Sequence, residues 1–152
     1  MKASVHPSSV RDVYLVSCVS KKRASPTVAK DLYVSAWFLK ARRYVEATCC
    51  PWFILSAKYG LLSPEQVIAP YERTLNTMGV AARRAWAIRV EAQMDERLPV
   101  TDRIVVLAGI RYREFLMDYL ERRADVVEVP ITGLRSGEQL RWLGRAPLGP
   151  PC

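Results

Sequence analysis

The chain has 152 residues, with 23 Lys and Arg against 15 Asp and Glu, and a formal net charge of +8 at pH 7. This length is typical of one domain and 50% of the residues are hydrophobic. We therefore expect a single domain over residues 1–152, with a core at residues 13–144 that needs no disulfides. No apolar run reaches the roughly 18 residues of a membrane span, and the first residues lack an apolar signal core. This predicts a cytoplasmic protein without membrane contact.

The positive charge comes mostly from arginine, which binds phosphate groups through two parallel hydrogen bonds. A basic protein attracts polyanions, and nucleic acid is the commonest of them. We therefore expect nucleic acid, and DNA first, as the partner of a monomeric protein. On charge alone, the alternative is a basic protein with no such partner.

The cysteines do not have the spacing of a metal site. They are Cys18, Cys49, Cys50 and Cys152, and the only histidine is His6. No C-x-x-C pair occurs, so we expect neither a metal nor another cofactor. Cys18 has no histidine in reach to activate it, which argues against a nucleophilic role.

Hydrophobic patterns predict strands and helices that alternate along the chain. Short apolar runs predict four strands, at residues 13–18, 51–56, 103–109 and 126–129. Helical periodicity predicts helices at residues 29–48, 80–98, 112–123 and 136–143. In the second helix we expect Ala81, Ala85, Ile88 and Ala92 to form the packed face. This alternation is typical of a three-layer α/β/α fold with a mostly parallel four-stranded sheet.

In open sheets of parallel strands, ligands bind outside the carboxyl ends of the strands. The predicted ends fall at residues 17–22, 56–62, 109–112 and 130–136, and they are rich in small, hydroxyl-bearing and basic residues. Such residues suit a phosphate or a nucleotide. The candidate binding residues are Ser17, Cys18, Ser20, Lys21, Lys22, Ser56, Lys58, Tyr59, Gly60, Tyr71, Gly109, Arg111 and Tyr112.

The turn at residues 56–60 is the most distinctive of these segments. Gly60 permits a positive φ, so the chain can reverse sharply there. Tyr59 beside Lys58 offers a ring on which a base can stack, an interaction of about 1–3 kcal/mol per base. The alternative is that Tyr59 covers the core while Lys58, like the basic loop at residues 20–22, is only solvated.

Two carboxylates lie near the predicted strand ends. Asp31 falls in the first turn of a predicted helix, where an interaction with the helix dipole explains it more readily than catalysis. Glu72 lies in a loop that no helix face accounts for. Glu72 is therefore the better candidate for acid or base catalysis.

Four segments together resemble a small bacterial domain of uncharacterised function: SCVSKK at 17–22, AKDLYVSAWF at 29–38, LSAKYGLL at 55–62 and PYERTL at 70–75. That domain is similar to the YaaA peroxide-stress proteins and to the domain that accompanies archaeosine synthase. It is more distantly similar to the uracil-DNA glycosylase superfamily. The resemblance covers residues 13–144 and implies a uracil-DNA glycosylase-like fold with a base-sized pocket at the strand ends.

A glycosylase rotates its target base out of the DNA stack into such a pocket. Members of that superfamily carry an Asp or Asn after the first strand, and often a histidine after the last one. This chain has residues 20–22, Ser-Lys-Lys, and residues 132–135, Thr-Gly-Leu-Arg, at those places. The resemblance therefore implies that Arg135 or a lysine stabilises the departing base, and that Asp31 or Glu72 assists water or the sugar cation.

The leading hypothesis is a DNA glycosylase-like enzyme that excises a modified or damaged base, in repair or in phage defence. Two alternatives stay open. One is a non-catalytic DNA-binding protein of the stress response. The other is an enzyme of modified-nucleoside metabolism that acts on a free nucleotide or on transfer RNA.

Overall fold

The computed structural model describes residues 11–145, so His6 and Cys152 lie outside the described part of the chain. The strands are β1 (Asp12–Ser17), β2 (Thr27–Val28), β3 (Trp52–Ser56), β4 (Gly60–Leu62), β5 (Val67–Ile68), β6 (Arg103–Leu107) and β7 (Val126–Glu128). The helices are α1 (Ala29–Leu32), α2 (Ala36–Ala47), α3 (Val80–Arg97), α4 (Ile110–Arg113), α5 (Met117–Arg123) and α6 (Ser136–Leu143), with a 3-10 turn at Leu75–Thr77.

The central sheet has five strands in the order β4-β3-β1-β6-β7. Strand β1 runs parallel to both β3 and β6, β7 runs parallel to β6, and β4 runs antiparallel to β3. A separate antiparallel pair joins β2 to β5. The mostly parallel sheet is confirmed, but the prediction of four strands is wrong. The missed strand, β4, has only three residues, and Gly60 with φ of 77° begins it immediately after a tight reversal.

Helices cover both faces of the sheet. Val13, Tyr14, Leu15 and Val16 follow one another in β1 and are all buried, and successive strand residues point to opposite faces. Helices α2 and α6 contact each other, and their Tyr44 and Trp142 rings have centroids 4.8 Å apart. The α2 and α3 crossovers move in opposite directions across the sheet, so right-handed connections place these two helices on opposite faces.

The predicted helix at residues 29–48 is wrong in one respect, because the chain leaves the helix at Tyr33 and re-enters it after Ser35. Tyr33 pairs with Lys22 in an isolated bridge. The Ser35 side chain then accepts a hydrogen bond from the Phe38 amide at 3.1 Å and caps α2. The predicted helix at residues 112–123 is likewise divided into α4 and α5.

The packed face predicted for α3 is also wrong. Its four predicted members are exposed, and Trp86, Val90 and Met94 are buried instead. Arg83 is buried with them, because its guanidinium pairs with Glu114 at 3.2 Å and donates to the carbonyl of Met78. Within residues 11–145, no helix combines the length and the apolar character that crossing a bilayer requires.

Candidate functional site

A cavity of about 560 Å³ lies at the carboxyl ends of β1 and β6. Parallel pairing brings these two ends to the same edge, since Val16 of β1 is in register with Leu107 of β6. The segment at residues 70–76 forms another part of the wall. The lining residues are Cys18, Val19, Ser20, Lys22, Arg23, Ala24, Pro70, Tyr71, Glu72, Arg73, Thr74, Asn76 and Tyr112.

The Tyr112 hydroxyl joins the elements that surround the cavity. It lies 3.5 Å from Cys18 Sγ, which donates to it, and 3.3 Å from Thr74 Oγ1. The Leu75 amide donates to the same hydroxyl at 3.2 Å. Burial raises the pKa of Tyr112, so this hydroxyl stays protonated and neutral well into alkaline solution. Tyr112 thereby fixes the loop at residues 70–76 against the end of β1.

Tyr71 forms the floor of the cavity through a buried hydrogen-bond chain. Its hydroxyl lies 2.7 Å from the Tyr33 hydroxyl and accepts from Ser56 Oγ at 2.8 Å. Ser56 Oγ in turn accepts from the Tyr59 amide at 3.0 Å. Burial is the main cause that raises the pKa of both Tyr33 and Tyr71. These hydrogen-bonded hydroxyls therefore form an uncharged scaffold that holds the turn after β3 against the cavity.

The side chain of Lys22 contributes an amine to the lining of the cavity. Its Nζ lies 4.4 Å from the centroid of the Tyr71 ring and 5.8 Å from that of Tyr33, and it donates to the Ser20 carbonyl at 3.2 Å. In the described part of the chain, no ion pair joins this amine to a carboxylate. Burial lowers the pKa of Lys22, although the neighbouring Cys18 and Glu72 act in the opposite direction.

Charged groups of both signs stand together in this cavity. Glu72 and Arg73 are exposed neighbours in the segment at residues 70–76, and Arg23 lies in the loop after β1. Neither Glu72 nor Arg73 forms an ion pair with another described residue. A carboxylate, an amine and two guanidinium groups in one cavity are therefore available to a ligand that carries both a cationic and an anionic part.

The structure brings together six of the residues that the sequence singled out: Cys18, Ser20, Lys22, Tyr71, Glu72 and Tyr112. Ser17 and Ser56 are buried and are not part of the cavity lining. Lys21 is exposed outside it, and its carbonyl accepts a hydrogen bond from the Val34 amide at 3.0 Å.

The turn after β3 lies beside the cavity and not in its lining. The Tyr59 hydroxyl donates to the carbonyl of Ala69 at 3.3 Å, and its ring packs edge-on against Tyr71 with centroids 5.6 Å apart. Lys58 is exposed above the Tyr59 ring, at 5.2 Å from its centroid. The Gln93 side chain fills the space beside Gly60 and accepts from the Leu61 amide at 2.8 Å.

Four more predicted residues fall elsewhere. Gly109 precedes α4, and Arg111 in that helix is exposed, with Glu114 at 3.9 Å. Asp31 pairs with Arg42 at 2.6 Å and lines a second cavity of about 720 Å³, which shares Arg23 and Ala24 with the first. Arg135 is exposed at the start of α6, where its amide donates to Glu138 at 2.8 Å. The structure therefore separates Asp31 and Arg135 from Glu72.

The sequence analysis did not single out four polar lining residues: Arg23, Arg73, Thr74 and Asn76. The polar run between Pro70 and Leu75 was a usable signal, because it is too short for a helix and carries both charges. Within residues 11–145, no group of three or more His, Cys, Asp or Glu side chains is arranged to hold a metal ion.

The fold and the cavity define a mixed α/β protein with a charged pocket at the carboxyl ends of its central strands. The chain belongs to the family of unknown function DUF6884, whose model matches residues 13–145. It is 28% identical over 109 residues to the uncharacterized protein YfjM of Bacillus subtilis (strain 168), which covers 67% of this chain and 72% of YfjM. No solved structure matches the chain. The matched family span contains every residue that lines the cavity, and the glycosylase-like fold stays a prediction.

Proposed function

We propose that this protein is a DNA glycosylase-like enzyme that binds one modified or damaged nucleotide and hydrolyses the bond between its base and its sugar. The observation that carries the proposal is the joint presence of Glu72 and the Lys22 amine in one cavity. Its volume of about 560 Å³ falls within the range of pockets for small ligands, which is roughly 300–1,000 Å³.

Hydrolysis of an N-glycosidic bond develops opposite charges on the two sides of the breaking bond, and an enzyme can stabilise both. The sugar gains positive charge as the bond opens, and a carboxylate stabilises that charge or activates the attacking water. The base leaves with the electron pair of the bond, and a cation or a hydrogen-bond donor stabilises it. Glu72 would serve the sugar, and Lys22 or Arg73 would serve the base.

A base within DNA reaches such a cavity only when its nucleotide rotates out of the helix. The second cavity adjoins the first through Arg23 and Ala24, which leaves room for the chain on one side of the rotated nucleotide. The exposed Arg23 would contact a phosphate there, and the net charge of +8 favours a polyanion in general.

The test is incubation with duplex DNA that carries a panel of modified bases, hypermodified phage-type bases included, followed by detection of abasic sites. We expect release of at least one base. Glu72→Gln should slow the release by about 10²–10⁴-fold, the usual contribution of an acid or base group. Glu121→Gln, at an exposed position of α5, is the matched control and should keep full activity. Absence of abasic sites on every substrate would overturn the proposal.

The limited volume of the cavity also favours a second candidate, the same bond cleavage on a free modified nucleotide or in transfer RNA. Mononucleotides should then be cleaved, and they should compete with DNA for binding. A non-catalytic DNA-binding protein would give a third result. It would cleave none of the substrates, and its affinity for DNA would fall steeply between about 50 and 200 mM salt.

A further inference from the structure

We propose that the Lys22 amine forms a Schiff base with the aldehyde of an abasic sugar in the cavity and so cleaves the DNA strand. This lyase activity rests on the proposed function, because it uses the sugar that base release would leave in the same cavity. It assigns Lys22 a covalent role in addition to its charge.

The position of Lys22 carries the inference. Of the lysines in the described part of the chain, only Lys22 lines the cavity. Lys30 is paired with Glu65 at 2.6 Å, and Lys40 lies on α2 with Leu140 as its hydrogen-bond acceptor. Among residues 11–145, the Lys22 amine has one hydrogen bond, to the main-chain carbonyl of Ser20, and no carboxylate neutralises it by direct contact.

The surroundings of the amine favour its neutral form, which is the nucleophile. The Tyr71 and Tyr33 rings cover one side of the Lys22 side chain, and the other side faces the cavity. Partial burial of this kind lowers the pKa of Lys22 and so increases the fraction of neutral amine at a given pH. An amine with only a phosphate-binding role gains nothing from this environment, since its positive charge is what binds.

The reaction balances without an oxidant or a metal. The Nζ electron pair attacks C1′ of the open-chain abasic sugar, and water leaves as the imine forms. A base then removes a proton from C2′, the C3′–O bond breaks, and the 3′ phosphate departs with the electron pair. Water hydrolyses the imine and returns the free amine, with an unsaturated aldehyde left on the other fragment. Glu72 is placed in the same cavity to accept the C2′ proton.

The test uses the full chain and DNA in which the abasic site has already been made, so that no base release is needed. Addition of borohydride reduces an imine and joins protein and DNA permanently. We expect a covalent complex in a 1:1 ratio and, without borohydride, strand cleavage at the abasic site. Mass spectrometry should find the adduct on Lys22.

Lys22→Met should reduce the trapped fraction at least 100-fold, and Lys40→Met, which removes an amine outside the cavity, should leave it unchanged. Thermal unfolding of both variants distinguishes a lost nucleophile from a lost fold. If Lys22→Met does not fold, the residue that carries the adduct in the wild-type protein decides whether Lys22 is the nucleophile. Trapping that survives Lys22→Met, or an adduct at another residue, overturns the inference.

The two proposals fail separately. Base release without any trapping on abasic DNA would overturn the lyase role and leave the glycosylase proposal intact. Trapping at Lys22 without base release from any modified DNA would support the lyase role and contradict the glycosylase proposal.

Discussion

Charged side chains are arranged differently at the two edges of the central sheet that the amino and the carboxyl ends of its strands form. At the amino ends of β1 and β6, Arg103 of β6 binds Asp12 of β1 at 2.6 Å, and it also reaches Glu128, the last residue of the short β7, at 2.8 Å. Arg11 and Asp102 form a further pair at 3.1 Å beside them. At the carboxyl ends, in contrast, Lys22 and the acidic and basic groups around it form no ion pair with another described residue.

The difference indicates which edge is structural and which is available to a ligand. Arg103 and its two carboxylates satisfy one another and tie three strands together, so little charge remains there for a partner. The groups around the opposite cavity stand close together without neutralising one another by contact, which is common where a ligand or a reaction uses them. Four substitutions test this contrast, and their expected effects on stability decrease in the order given below.

The largest effect is expected for Arg103→Met, which should lower the free energy of unfolding by about 3 kcal/mol. The substitution leaves two carboxylates unpaired, and the Asp12 side chain is only 11% exposed with one oxygen, Oδ1, already lacking a hydrogen bond. Urea unfolding measures the change. Arg43→Met, an exposed position of α2, is the control and should stay within about 0.5 kcal/mol. A loss below about 1 kcal/mol would contradict the structural role of this edge.

Gly60→Ala should lower the free energy of unfolding by about 2 kcal/mol. A loss of this size would show that the turn after β3, at the carboxyl ends of the strands, has a structural role. Its φ of 77° costs an L-residue about 1–2 kcal/mol, and the new methyl group would also displace Gln93. Gly133→Ala is the matched control, since its φ is 78° with no atom within 4 Å of the added carbon. Equal losses in the two variants would mean that Gln93 adjusts freely.

Tyr71→Phe should lower the free energy of unfolding by about 1–2 kcal/mol, because it removes the hydroxyl that joins Tyr33 to Ser56. Tyr33→Phe should cost less, since Tyr71 then keeps its bond to Ser56.

The same tyrosines predict a dependence on pH. Their pKa values are raised above the usual value of about 10 by burial, so the folded state retains their protons more strongly than the unfolded state does. Their contribution is complete below about pH 10 and is lost as the pH rises further. The wild-type unfolding free energy should therefore fall above about pH 10, and the fall should be shallower in Tyr71→Phe. Equal slopes in the two proteins would argue against this origin.

The smallest change in stability is expected for Lys22→Met, within about 0.5 kcal/mol. The lost attraction to the Tyr71 ring is offset by removal of a charge that burial disfavours. This substitution should nevertheless have the largest effect on the trapping of abasic DNA. A loss of stability as large as that of Arg103→Met would show that the two edges do not differ in the way described.

Much of the fold could be predicted from the sequence, because the short, continuous apolar runs of β1, β3 and β6, bounded by turn residues, are typical of buried strands. It does not reveal the three-residue β4, which is too short for a pattern and depends on Gly60 and Gln93. The packed face of α3 was mistaken because alanine is tolerated on an exposed face, while Arg83 is buried through a carboxylate that lies 31 residues away.

The candidate site was partly predictable for a similar reason. The rule that ligands bind at strand ends found Cys18, Lys22 and Tyr112, because strand ends are local in the sequence. It did not find Thr74 and Asn76. Their place in the wall depends on hydrogen bonds from this loop to Tyr112, which lies far along the chain. No local sequence pattern predicts such a contact.

The contacts of the Tyr112 hydroxyl also determine how much of the chain must be made before the cavity can be complete. This hydroxyl accepts from Cys18, which lies 94 positions earlier in the chain, and the parallel pairing of β6 with β1 brings the two residues close together. A nascent chain that ends before Tyr112 contains Lys22 and Glu72 but lacks the contact that positions the loop carrying Glu72. The wall of the cavity is therefore complete only after residue 112 has left the ribosome and β6 has paired with β1.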